Sequence, residues 1–260
     1  MLLITFYFYK IQLISIIVQA SKGFNNYRHM TNLRTLNDLS GDQPILNFFA
    51  EDLFQDNRNI DKSKVYIDEK KYLPYKKLKR HGHSIKDFLN VLYCNTKKMK
   101  GIEQANALVY ITGHGNDGVF KFHDREWLCR DDLMDAILFL STKVLKVLLI
   151  IDTCQAETMI KRNELPPNVF AVTTSVRNES SISDIHNSFI GVSTIDNFIY
   201  YLYDVINNIT SDLSLVDFFT KIKNRPVGST LTFSFLENFY ISDFFLNSPV
   251  CSTANTSKHL

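Results

Sequence analysis

The sequence predicts an α/β fold with a mostly parallel sheet and helices on both faces. Three observations carry this. Short runs of β-branched and other apolar residues recur along the chain, helix-like segments separate them, and the run Val144–Ile151 lacks inside/outside alternation. Continuous apolar strands are buried on both faces, which requires covering helices and crossover connections.

The elements follow in order. Ile11–Gln19 reads as a first strand. Tyr27–Asp38 has helical spacing, with Met30, Leu33 and Leu36 on neighbouring faces. After the Gly41-Asp42-Gln43-Pro44 turn, Ile45–Phe49 is a second strand. Asp52 to Arg80 is charged and aperiodic and reads as a long surface excursion. Ser84 is placed to cap a helix over Ile85–Cys94, with Asp87 at its third position. Ala107–Thr112 is the third strand, and Arg130–Ser141 a helix with Leu133, Ile137 and Leu140 on one side. Val144–Ile151 and Val169–Thr174 are the fourth and fifth strands. Thr194–Val205 reads as an aromatic-rich helix, and Asn224 to Leu260 as irregular.

A chain of 260 residues fits one such domain. Its net charge of +2 gives no nucleic-acid footprint. The 4 cysteines, Cys94, Cys129, Cys154 and Cys251, form no CxxC pair, so neither a zinc site nor a disulfide framework is expected. The first twenty residues are apolar but interrupted by Lys10 and Gln12, which weakens a membrane-spanning reading. Residues 2–9 are read as a truncated secretory signal within a leading segment 1–10, residues 11–246 as the folded domain, and 247–260 as a tail.

Two strands end alike. "VYITGHGNDG" closes on His114 between two glycines, and "KVLLIIDTCQAE" closes on Cys154. Ligand sites in such sheets gather beyond the C-terminal strand ends. A thiol attacks a carbonyl as thiolate, and an imidazole can take its proton and hand one to the leaving amine. Glycines beside the histidine allow tight turning and close approach of a substrate backbone. The backbone N–H groups of Gly115 and Cys154 are candidates for holding an oxyanion. Asp152 is expected to bond local backbone N–H groups and shape the turn. A lone strand-end Cys is more often structural and a lone loop His more often merely exposed; it is their matched placement that points to a dyad.

The blocks "VYITGHGNDGVFKFHD", "LLIIDTCQAETM", "FNNYRHMTN", "FIGVSTIDNFIYYL" and "ISDFF" resemble those of the GPI-anchor transamidase catalytic subunits, relatives of legumain in the caspase-like clan of cysteine peptidases. The resemblance runs from about Ile14 to Phe245. It implies a caspase-like three-layer sandwich, with Cys154 as nucleophile, His114 as general base and Asn26 as the residue orienting the imidazole. It places Ser175 at the pocket for the residue before the cleaved bond. His81, His83, His123, His186 and His259 have no such context and are read as surface residues.

The resemblance further implies a proprotein substrate with a C-terminal signal, a GPI glycolipid as acceptor, and partner subunits of a membrane complex on the lumenal side of the endoplasmic reticulum. Asn26 is useful only if the preceding strand is retained, which argues against cleavage after Ala20. Gln55 stands where many members have a cysteine that pairs with a partner subunit. Some members hold a cation with acidic residues before the second strand and in the excursion after it; Asp42 matches the first, but "LPYKKLKRHG" has no carboxylate at the second, so no metal is expected, and no cofactor. Attachment to the membrane would come through partners. The sequons at Asn178, Asn208 and Asn255 agree with a lumenal setting. Two other readings stay open: a legumain-like asparaginyl endopeptidase, and a non-catalytic scaffold of the same fold.

Overall fold

The computed structural model describes residues 12–249. Its centre is a seven-stranded sheet. We number its strands β1 (Leu13–Gln19), β2 (Ile45–Phe49), β3 (Arg80–Gly82), β4 (Asn106–Thr112), β5 (Val147–Asp152), β6 (Val169–Thr173) and β7 (Thr232–Phe233). The spatial order is β7-β6-β5-β4-β1-β2-β3, parallel throughout except for the antiparallel edge strand β7. Ile11, the expected start of the first strand, lies outside the described residues, as do the signal segment and most of the tail.

The strands are central because both of their faces are apolar. Along β4, Leu108 and Tyr110 point to one core, while Ala107, Val109 and Ile111 point to the other. The first core is closed by α1 (Tyr27–Ser40), α4 (Asn197–Asn208) and α5 (Leu215–Lys223), and the second by α2 (Ile85–Leu92) and α3 (Arg130–Ser141). Each fully buried Leu, Ile or Phe contributes roughly 1.5–3 kcal/mol. The stability of the fold therefore resides in the strand bodies and leaves the strand tips free for other work.

Ser84 and Asp87 form a reciprocal capping box at the start of α2, as the spacing predicts. Several boundaries differ from the sequence reading. The helix expected over Thr194–Val205 is shifted: Val192–Ile195 is a strand paired with Ile185–Asn187, and α4 begins only at Asn197. The Asp52–Arg80 excursion contains a hairpin, Lys64–Tyr66 with Tyr72–Pro74, and ends in β3. Helix α5 lies where the sequence reading predicts no element. Its apolar residues Leu215, Phe218, Phe219 and Ile222 are all buried. The region after Asn224 supplies β7 and a short turn of helix at Ile241–Asp243. His123 is not a surface residue: it is 4% exposed, and its Nδ1 donates to the His83 carbonyl at 3.0 Å. No helix among the described residues is long and apolar enough to cross a membrane.

Candidate active site

The adjacent strands β1, β4, β5 and β6 each deliver one sequence-predicted side chain just past its C-terminal end: Asn26, His114, Cys154 and Ser175. Asn26 occupies the N-cap position of α1, where asparagine normally accepts a hydrogen bond from the helix backbone. Here it makes no side-chain cap. Its Nδ2 donates to the Lys22 carbonyl at 2.6 Å, which turns Oδ1 toward His114. That oxygen lies 3.1 Å from His114 Nε2. An amide oxygen only accepts, so Nε2 carries the proton and Nδ1 is left as the basic nitrogen.

The His114 loop is pressed against the Cys154 turn. Thr153 Oγ1 donates to the Gly113 carbonyl at 2.9 Å. A Cβ added to Gly115 would come within 2.6 Å of Thr153 Oγ1 and 2.9 Å of the Cys154 carbonyl oxygen. The second glycine is thus required by lack of space between the two loops. The His114 carbonyl accepts from Lys121 N–H at 2.8 Å, which anchors the loop to a three-stranded antiparallel unit over residues 115–129. One edge of the His114 ring meets His29 with centroids 5.5 Å apart and planes at 76°. Burial of that side, with repulsion from Arg28, lowers the His114 pKa, although Asp124 pulls the other way. The imidazole is therefore neutral, and able to act as a base, around neutral pH.

Cys154 is partly buried, and Gln155 after it has φ 53°, a left-handed conformation that turns the chain sharply. Gln155 holds three segments together. Its N–H donates to the Glu179 carbonyl at 2.9 Å, its Nε2 to Asn116 Oδ1 at 2.6 Å, and its Oε1 accepts from Asn178 N–H at 3.1 Å. An Arg177–Asp117 ion pair ties the same two loops together farther out. Ser175 is fully buried. Its Oγ donates to the Thr153 carbonyl at 2.7 Å and accepts from Ala156 N–H at 3.0 Å, so this hydroxyl shapes the Cys154 turn from beneath. Asp152 departs from expectation. Its carboxylate accepts from side-chain hydroxyls, Tyr110 at 2.8 Å, Thr174 at 2.9 Å and Ser181 at 3.2 Å. The reason is burial beneath the strand ends, which also raises its pKa against the pull of those hydroxyls.

Sequence reasoning missed Asp196. It too stands at a helix N-cap without capping. Instead it pairs with Arg28 Nε at 3.2 Å and accepts from Asn32 Nδ2, beside His29. Burial and repulsion from Asp152 push its pKa up to about 7, while Arg28 and Asn32 hold it down. The signal for it was its place in "FIGVSTIDNFIYYL", but an Asp before a helix reads as an ordinary cap. Among the described residues, no group of three or more His, Cys, Asp or Glu side chains is placed to hold a metal ion.

The fold is similar to that of caspase-1 from Spodoptera frugiperda, with a TM-score of 0.51 at 12% identity over 89% of each chain. That likeness shows the fold, a caspase-like sheet; the class, that of the cysteine peptidases, is given by the family match. Within that class the chain belongs to the Peptidase C13 family, which it matches over residues 13–237. It is 30% identical to the GPI-anchor transamidase of Saccharomyces cerevisiae across a 261-residue alignment, covering 90% of this chain and 63% of that protein. It is 28% identical to the Schizosaccharomyces pombe enzyme, covering 83% and 63%. To the Homo sapiens enzyme it is 27% identical, covering 75% and 54%. The chain thus spans between about half and two thirds of the length of these relatives.

Proposed function

We propose that this chain is the catalytic unit of a GPI-anchor transamidase. The observation that carries the reading is the Asn26–His114 hydrogen bond, made from a helix-cap position that gives up its cap, on a loop wedged against the Cys154 turn. Similarity to proteins named GPI-anchor transamidase supports the choice of reaction.

In the proposed reaction His114 Nδ1 takes the Cys154 proton, and the thiolate adds to the carbonyl of the attachment residue of a proprotein. The Gly115 and Cys154 N–H groups hold the developing oxyanion. As the C–N bond breaks, the imidazolium returns its proton to the leaving amine, and a thioester remains. The ethanolamine amine of a GPI glycolipid then attacks the thioester. His114 accepts the amine's proton, the C–S bond breaks, and the proton passes to the departing thiolate. Asn26 keeps the ring in the tautomer that both half-reactions need. The reading also implies partner subunits that present the glycolipid, and a lumenal site at the endoplasmic reticulum.

A second reading, cleavage after asparagine by water, draws on the Arg28–Asp196 pair. It offers a donor and an acceptor beside His114, the two groups that an amide side chain would use. Complementation of cells lacking transamidase separates the two readings. The wild-type chain should restore anchored surface protein, and Cys154→Ala should not. Cleavage of soluble asparagine peptides without any restored anchoring would favour the peptidase.

A further inference from the structure

The chain's charge is segregated. Residues 70–100 hold ten of its 29 Lys and Arg but one of its 27 Asp and Glu, so this segment carries +9 and the remainder −7 of the +2 total. The segment contains the outer strand β3 and helix α2. Between them lies a cavity of about 200 Å³ with an apolar floor of Leu46 and Val91 and a polar rim of His81, Thr96, Lys97 and Lys98.

The rim is built of donors. The Thr96 hydroxyl oxygen is buried and has no hydrogen-bond partner, and it does not cap the short helical turn that follows. His81 Nδ1 accepts from the Asn47 backbone N–H at 3.0 Å, which fixes the proton on Nε2 and makes that nitrogen a donor. Lys97 and Lys98 are exposed, and among the described residues no ion pair engages them or Lys79. The one carboxylate at the rim, Asp87, is already bound to the backbone N–H groups of His83 and Ser84. Burial, with Lys98 and Lys79 adding repulsion, pushes the His81 pKa down to about 4. An excess of unneutralised positive charge around unpaired donors is what a bound anion would relieve.

We propose that this cavity is a binding site for a phosphate group, separate from the Cys154 site and independent of the catalytic reading. Thr96 and His81 Nε2 donate to the phosphate oxygens, and Lys97 and Lys98 neutralise its charge. The shared chemistry is a phosphate ester, carried either by a soluble ligand or by a lipid headgroup.

The test titrates the full chain with inorganic phosphate, following the His81 ring nitrogens by NMR. In parallel it is sedimented with phosphatidylcholine vesicles with and without phosphatidylinositol. Binding of free phosphate that raises the His81 pKa supports a soluble ligand. Retention only by phosphatidylinositol vesicles supports a headgroup. In either case Thr96→Val and the pair Lys97→Ser/Lys98→Ser should each weaken binding about tenfold, and Lys76→Ser/Lys77→Ser, outside the cavity, should not. Both lysine pairs are exposed, so folding is not at risk in those variants. Absence of binding in both arms overturns the proposal. So does equal weakening by the two lysine pairs, which would mean diffuse charge alone.

Discussion

Helices α2 and α5 begin away from the candidate site, and helices α1 and α4 begin at it. The difference lies in their first side chains. Ser84 accepts from Asp87 N–H at 3.1 Å, and Ser214 from Asp217 N–H at 3.1 Å, each stabilising its own helix. Asn26 and Asp196 are equally good capping residues, yet neither caps. One reaches His114 and the other Arg28. Local rules are obeyed where stability is the only demand and are broken where a side chain has a second task. The comparison thus singles out the sheet edge that carries the candidate site, without reference to any relative.

Several substitutions test this contrast. The largest effect belongs to the reacting groups. Cys154→Ala or His114→Ala should lower anchoring activity by more than roughly 10³-fold, and the double variant should be little worse than either single one. Melting temperature should hardly change, because strand bodies carry the core. Substantial anchoring by Cys154→Ala would end the mechanism.

Asn26→Ala should slow anchoring roughly 10- to 100-fold by freeing the imidazole, with Asn26→Asp milder and no loss of α1 stability. A fall in melting temperature with activity intact would show that Asn26 is a cap after all. Gln155→Ala should cost roughly tenfold in kcat, since it loosens the Cys154 turn from Asn116 and Asn178. An unchanged rate would reduce those bonds to decoration.

Ser84→Ala should give the opposite profile to Asn26→Ala. It should cost about 1 kcal/mol of stability, read by denaturant midpoint, with anchoring unaffected. A further effect, dependent on pH, concerns Asp196. Its folded pKa is raised, so the native state holds a proton that the unfolded chain releases, and its contribution to stability falls as pH rises from about 4 to about 7. Asp196→Asn removes that contribution. The difference in melting temperature between variant and wild type should rise across this window and level off above it. A difference that is flat with pH would show that Asp196 titrates normally.

Much of this was legible in the sequence. Apolar runs closing on Gly-His-Gly and Asp-Thr-Cys identify the strand ends, and Ser84 with Asp87 identifies the start of α2. The 115–129 unit was not legible, because strands of two to four residues show no period. Helix α5 was legible and overlooked: Ser214 followed by Leu215, Phe218, Phe219 and Ile222 is a capped amphipathic turn pattern. Asp152 and Ser175 have partners fixed only by burial beneath neighbouring strands, and spacing along the chain carries no trace of that. Asp196 was hidden by its resemblance to an ordinary cap.

Strand β1 lies in the middle of the sheet, paired on one side with β4 from Leu13↔Asn106 to Gln19↔Thr112. That pairing closes a long loop, a slow event in folding because its entropy must be lost before its contacts form. Asn26 and His114, 88 residues apart, meet only once it has happened. A nascent or half-assembled chain therefore holds Cys154 without the Asn26–His114 hydrogen bond. Under the proposed mechanism, then, the reactive arrangement is complete only with the finished sheet, and the half-made chain is inert until it is whole.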